Sequence, residues 1–173
     1  YAIKHQSAWE TVFCTDLFSM PSIVLKKALI LLPVIGLYFL RAGAIPITRD
    51  QGINALRKMG RNAKKAVKEK RSMMIFPQGT RVSPGISSKE KPYLPGVFFL
   101  YSQAKVPVIP VAHNAGLLWP KNSFFKYPNR LRSKSVTIQI LPEIKPGLSK
   151  QEFLTKLENI IETASNKLIK LEK

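Results

Sequence analysis

The sequence predicts an α/β layered fold, on three observations. Five short β-like runs are spread along the chain, helix-period segments lie between them, and 173 residues that are 45% apolar suffice for one substantial core. One domain spanning residues 1–173 is the expectation. The chain opens on Tyr1 without an initiator Met and runs straight into a motif, so a further N-terminal segment is expected to precede it.

The elements follow in order. Ala2 and Ile3 form a short strand end, and "SAWE" (7–10) is an S-x-x-E capping box. In such a box the Ser7 hydroxyl accepts the amide hydrogen three residues on, and Glu10 reaches back to the cap amide. It starts a helix whose Val12, Phe13, Leu17 and Phe18 are expected in the core. The run "ALILLPVIGLYFL" (28–40) has 13 residues, is broken by Pro33 and Gly36, and is flanked by Lys26, Lys27 and Arg41. A bilayer-spanning helix needs about 20 apolar residues, so this run is too short to cross. Two readings stay open: a buried core helix, or an apolar face laid into one leaflet with cations at the headgroups.

"GAIPIT" (43–48) is the second strand. From residue 50 to 71 a helical period places Ile53, Leu56, Gly60, Ala63 and Val67 on a packing side. Arg57, Lys58, Arg61, Lys64, Lys65 and Lys68 fill the other side, which is either a solvated face or a docking face for phosphates or an acidic carrier. "SMMIF" (72–76), "VPVIPVA" (106–112) and "SVTIQIL" (135–141) are further strands. Residues 81–96, with three prolines, two glycines and three serines, read as a surface loop of a length often used for lids. After Ser149 an amphipathic helix places Phe153, Leu157, Ile160, Ile161, Ala164 and Leu168 on one face, for packing.

The net charge of +18 points to an anionic partner. Its source is the middle of the chain, where residues 51–142 carry 17 Lys/Arg against two acids, Glu69 and Glu90. No helix-turn-helix, zinc-finger or RNA-motif signature is present, which disfavours nucleic acid. A single cysteine, Cys14, excludes an internal disulfide and a multi-cysteine zinc site, and two histidines argue against a His-rich metal centre. Cys14 has no base at suitable spacing and reads as core.

The capping box accounts for Ser7 and Glu10 but leaves His5 unexplained. A histidine in the turn after a strand sits where α/β folds place ligands. A carboxylate one turn on can accept its Nδ1 hydrogen, fixing the tautomer and leaving Nε2 as a base. At a spacing of five this pairing requires His5 to precede the helix, because on one helix the two side chains would diverge by about 140°. A second candidate constellation is "FPQGTR" (76–81): a buried run ends at a glycine that admits close backbone approach, then presents Thr80 and an arginine fork suited to phosphate. The third is "GAIPITRD" (43–50), another strand delivering an arginine, Arg49.

In this order the pieces resemble the glycerolipid acyltransferase family typified by 1-acyl-sn-glycerol-3-phosphate (lysophosphatidic acid) acyltransferases. "HQSAWE" stands for its H-x4-D block, "GAIPITR" for G-x-x-x-I-x-R, "FPQGTR" for F-P-E-G-T-R, and "VPVIPVA" for its proline-bearing fourth block. Two positions depart from the family pattern: Glu10 replaces the usual Asp, and Gln78 the usual Glu.

The resemblance implies a glycerolphosphate acyltransferase-like domain, a mixed and largely parallel central sheet flanked by helices. It implies acyl transfer from a thioester, acyl-CoA or acyl carrier protein, to the sn-2 hydroxyl of lysophosphatidic acid, giving phosphatidic acid. His5 would be the general base and Glu10 its support. Arg49 and Arg81, with Gln78, Gly79 and Thr80, would bind the acceptor, and Pro110 belongs to the block associated with the donor side. No metal and no cofactor beyond the thioester co-substrate is implied. The implied partners are those substrates and a membrane surface, met monotopically or through the N-terminal segment, at the cytoplasmic face of the inner membrane. His113, just after the fourth block, has no assigned role. Two rivals stay open: an acyltransferase for another lyso-lipid, and a non-catalytic binder of anionic membranes.

Overall fold

The computed structural model describes residues 1–48, 52–121 and 135–171. Among these residues there are six strands: β1 (Ala2–Ile3), β2 (Ser22–Lys26), β3 (Ile45–Ile47), β4 (Met73–Met74), β5 (Pro110–His113) and β6 (Ile138–Ile140). Five α-helices lie between and after them: α1 (Trp9–Leu17), α2 (Ile35–Arg41), α3 (Gly52–Lys68), α4 (Pro95–Ala104) and α5 (Lys150–Leu171). Short 3₁₀ helices cover Lys27–Leu31 and Ala115–Leu117.

β2 pairs in parallel with both β3 and β4, and β1 in parallel with β5. A parallel bridge from Ala2 to Ile75 joins the two ladders, giving the order β3-β2-β4-β1-β5-β6. Only β6, beside β5, is antiparallel. This is the expected mixed, largely parallel sheet. β2 is the strand the sequence reading did not assign, and it is an interior strand, paired on both edges.

Alternation along each strand divides the core between two faces. Ile3, Ile23, Leu25 and Met74 pack with Cys14 and Phe18 from the α1 side and Phe39 of α2. On the other face Ala2 packs with Val97 and Tyr101 of α4 and Phe153, Leu157 and Ile161 of α5, while Val24 and Ile45 meet Met59 and Ala63 of α3. The result is helices on both sides of a buried parallel sheet. Because the parallel strands point one way, the residues following β1, β2 and β4 emerge at one edge, the place such folds use for ligands.

Two packing expectations are corrected, and one open choice is narrowed. In α1 the inward ridge is Glu10, Cys14 and Phe18, whereas Val12, Phe13 and Leu17 are exposed. The cause is Glu10: its carboxylate is drawn under the preceding turn, and residues at i+4 and i+8 follow it inward. In α3 the buried stripe is Ala55, Met59, Gly60, Ala63 and Ala66, with Ile53 and Val67 exposed. The small side chains win this face because α4 presses close: a Cβ at Gly60 would stand 2.8 Å from Phe99 Cε1.

Of the two readings open for the run 28–40, the packing excludes the buried core helix. It breaks at Leu32–Val34, where Val34 takes φ 62°, and only Gly36 and Phe39 are buried within α2. Gly36 is required there, since a Cβ would collide with the Ile30 carbonyl. Leu31, Val34 and Leu37 are 78%, 77% and 66% exposed, and Leu29, Leu32, Ile35 and Leu40 are exposed with them. No helix among the described residues is long and apolar enough to cross a membrane.

Candidate active site

The turn leaving β1 is fixed from several directions. The Lys4 carbonyl accepts from His113 Nε2 at 2.6 Å, and the His5 carbonyl accepts from the Val82 amide at 2.7 Å. The Gln6 side-chain oxygen accepts from the Gly116 amide at 3.0 Å. A side chain at Gly116 would run into Gln6 and Pro84 at 2.8 Å, so only glycine lets these segments meet. The Lys4 ammonium, itself buried, pairs with Glu162 of α5 at 2.6 Å, and Tyr93 donates to the same carboxylate oxygen at 2.9 Å.

On this turn His5 Nδ1 lies 2.8 Å from Glu10 Oε1. The same oxygen accepts the Gln6 and Ser7 amides at 2.8 and 2.9 Å, so one atom both orients the imidazole and closes the helix start. The capping box is thereby half formed: Glu10 reaches back as expected, while the Ser7 hydroxyl accepts from Trp9 rather than from the Glu10 amide. Burial pushes the Glu10 carboxyl up, yet the hydrogen bond to His5, the neighbouring imidazoles and the Ser7 amide outweigh it, leaving the group below the ordinary 4.5. An ionised acceptor at this oxygen requires His5 to carry its hydrogen on Nδ1, which leaves the Nε2 lone pair free. The ring is stacked on Phe76, centroids 4.0 Å apart, and is partly solvent-accessible.

His113 is held in the complementary state. The Ala115 amide donates to its Nδ1 at 3.2 Å, so Nε2 carries the hydrogen given to Lys4. Burial lowers its pKa below 6.5, keeping it neutral near pH 7. Its Nε2 stands 3.9 Å from Glu10 Oε1, beneath the pair. Cys14, also buried, has its thiol pushed up to about 12 by burial and then by Glu10, which suits packing and not nucleophilic attack.

A cavity of about 600 Å³ opens beside His5. Gly79, Thr80 and Arg81 line it from the loop after β4, Lys26 from the end of β2, Leu29 from the 3₁₀ helix that follows, and Leu56 and Met59 from α3. Gly79 takes φ 62°, a left-handed turn that favours glycine, and its amide donates to the Phe76 carbonyl at 2.9 Å.

Of the residues singled out in the sequence, the structure therefore brings His5, Glu10, Gly79, Thr80 and Arg81 to one place. Gln78 is buried beside them with its amide turned away, donating to the Lys91 carbonyl at 2.9 Å, and does not line the cavity. Pro110 is buried in β5, in register with Ala2, and is likewise not a lining residue. Arg49 lies outside the described residues. The sequence reading missed Lys4, Gln6, Tyr93 and Glu162, and gave His113 no role. Lys4 directly after a strand was the available signal; for Glu162, 158 positions away, the reading of α5 as packing alone left none.

The acyltransferase family matches residues 1–114 of the chain. A 1-acyl-sn-glycerol-3-phosphate acyltransferase of Pseudomonas aeruginosa is 37% identical over 129 residues, 75% of this chain and 49% of that protein. The human 1-acyl-sn-glycerol-3-phosphate acyltransferase beta is 30% identical over 122 residues, 70% of this chain and 41% of that one. The chain thus spans about half the length of the curated relatives it matches. The crystal structure of the 1-acyl-sn-glycerophosphate (LPA) acyltransferase PlsC from Thermotoga maritima superposes with a TM-score of 0.75 at 22% identity, over 96% of this chain and 64% of that one, which establishes the shared fold.

Proposed function

The chain belongs to the acyltransferase family, and from that premise we propose that it moves a fatty acyl group from an acyl thioester to the sn-2 hydroxyl of lysophosphatidic acid. The observation that carries the reading is the 2.8 Å contact between His5 Nδ1 and the buried Glu10 carboxylate, at the wall of a cavity. In the proposed reaction His5 Nε2 takes the acceptor's hydroxyl proton as that oxygen attacks the thioester carbonyl. Glu10 supports the imidazolium that forms. The C–S bond then breaks, the departing thiolate takes the proton back from His5, and phosphatidic acid and a free thiol result. The donor is acyl-CoA or an acyl carrier protein, and no other cofactor is asked for.

Arg81 is proposed to grip the acceptor phosphate with its planar fork, joined by Thr80 and by Arg49. The Gly79 amide is already committed to Phe76, so glycine serves there by shaping the turn. Gln78 and Pro110 act from below: Gln78 ties the 76–81 turn to the following loop through Lys91, and Pro110 sets the register under the His5 turn.

The exposed aliphatic segment after β2 is proposed to lie on the bilayer. Its Leu31, Val34 and Leu37 project from the body, exposed Lys26, Lys27 and Arg41 flank it, and Lys26 and Leu29 also line the cavity. A lipid acceptor would then enter from the leaflet beside the cationic rim, at the cytoplasmic face of the inner membrane. The test is a panel assay: purified protein, labelled acyl-CoA or acyl carrier protein, and a set of lyso-lipids. Fastest consumption of lysophosphatidic acid supports the proposal; another preferred acceptor renames the substrate, and no transfer leaves a membrane binder.

A further inference from the structure

The outer face of α3 has no part in the chemistry above, yet residues 57–68 carry six Lys/Arg. Arg57, Arg61, Lys64, Lys65 and Lys68 are exposed and Lys58 is half-buried, with no acid among residues 52–68. The following Glu69 reaches Lys65 alone, at 3.8 Å. At 100° per residue the six cations occupy an arc of about 120°, along about 16 Å of helix. Arg57 with Arg61, Arg61 with Lys65, and Lys64 with Lys68 are like-charge pairs at i,i+4, each of which weakens the helix when nothing anionic sits on it.

The shape of this surface narrows what fits it. A small phosphate group needs convergent donors, and a convex helix ridge spreads its cations apart. A helix that docks on a bilayer must also offer an apolar face to the headgroup boundary. Here that face is used up: Ala55, Met59, Gly60, Ala63 and Ala66 are buried, the last three turns pressed on α4, and Ile53 and Val67 flank the cations without interrupting them. A straight cationic ridge with aliphatic residues only along one edge matches an acidic helix of another protein lying alongside it.

Position supplies the second constraint. The inner residues of the same helix, Gly52, Ala55, Leu56 and Met59, line the cavity that holds His5. A partner on the outer face therefore stands about one helix diameter, roughly 10 Å, from the reaction space. We infer that the Arg57–Lys68 face of α3 docks an acidic carrier protein that presents the acyl thioester on a tether, an inference that rests on the acyl-transfer reading and selects the carrier-bound donor within it.

The test compares donors on one variant. Arg57, Arg61, Lys64 and Lys68 are replaced together by Gln, which removes the charge and keeps helix propensity. Steady-state rates are measured with the same acyl chain on an acyl carrier protein and on coenzyme A, with lysophosphatidic acid as acceptor. Binding to vesicles of phosphatidylglycerol and phosphatidylcholine is measured by co-sedimentation. The expected result is a KM for the carrier-bound donor raised by about tenfold or more in the variant, and raised by added salt in the parent with kcat unchanged, while KM for acyl-CoA and vesicle binding stay the same. Equal rises in both KM values would overturn the inference, as would loss of vesicle binding with the carrier KM unchanged. A parent protein that turns over acyl-CoA but not the carrier thioester overturns it too, while leaving the acyl-transfer reading intact; turnover of neither donor sinks both.

Discussion

Glu10→Gln isolates what the buried carboxylate does. The structure gives Oε1 three donors, His5 Nδ1 and the Gln6 and Ser7 amides, all within 2.9 Å. A glutamine oxygen can accept all three, so the turn can keep its geometry, but the charge is lost and the amide nitrogen takes the buried place of Oε2, which has no hydrogen-bond partner among the described residues. Charge-assisted bonds are roughly twice as strong as neutral ones, a loss of about 1 kcal/mol each. Relief of the carboxylate's own burial offsets part of that and the unpartnered amide adds about 1–3 kcal/mol, so a net cost of about 2–4 kcal/mol leaves a domain of about 5–15 kcal/mol folded. Catalysis is affected more. When His5 becomes an imidazolium, the missing partner charge is worth about 3–4 kcal/mol at a contact of this kind, or roughly 10²–10³-fold in kcat. The assay is kcat near neutral pH with labelled acyl donor, alongside thermal melts of both proteins. A folded variant within about threefold of the parent rate would refute the reasoning and reduce Glu10 to a helix cap.

Further outcomes follow from the same geometry. His113, whose folded-state pKa is depressed by burial, contributes stability that is present above its ordinary 6.5 and lost as pH falls, because the unfolded chain takes up the proton first. Urea titrations from neutral to mildly acidic pH should show a slope of at most about 1.4 kcal/mol per pH unit from this group, flattened in His113→Gln. Glu10, also depressed, adds its loss lower, as pH falls below about 4.5. Glu162→Ala leaves the buried Lys4 ammonium unpaired and should cost about 3–5 kcal/mol in chemical denaturation, with much of it regained in Lys4→Met/Glu162→Leu. Leu31→Glu/Leu37→Glu should lower partition onto anionic vesicles by more than about tenfold with the melting temperature unchanged, since each side chain is worth about 1.5–3 kcal/mol when buried in an apolar phase.

The α/β layering was legible because parallel strands read as short apolar runs and helices carry their own period. β2 escaped because "SIVLK" stands between a helix end and a longer apolar run, and nothing local separates it from either. The side chains facing inward on α1 and α3 were misjudged for a different reason. Helix period fixes which residues share a face, but Glu10's hydrogen bonds and the closeness of α4 to Gly60 decide which face turns in. At the site, the spacing of His5 and Glu10 only required a strand-to-helix turn; the pair became legible as base and support through its resemblance, together with the three later blocks, to the acyltransferase pattern. The 76–81 block was legible as a turn, yet the sequence does not say that Gln78 points to Lys91 while Thr80 and Arg81 reach the cavity. Lys4, His113 and Glu162 act through contacts spanning 109 and 158 residues, which no local pattern encodes.

The central claim is that His5 is the base. Its most direct test is the single-turnover rate of His5→Ala with acyl thioester and lysophosphatidic acid, measured beside a binding titration of the acceptor. The account predicts a loss of about 10²–10⁴-fold in rate with the fold and acceptor affinity retained. A folded His5→Ala protein that turns over at the parent rate would contradict it.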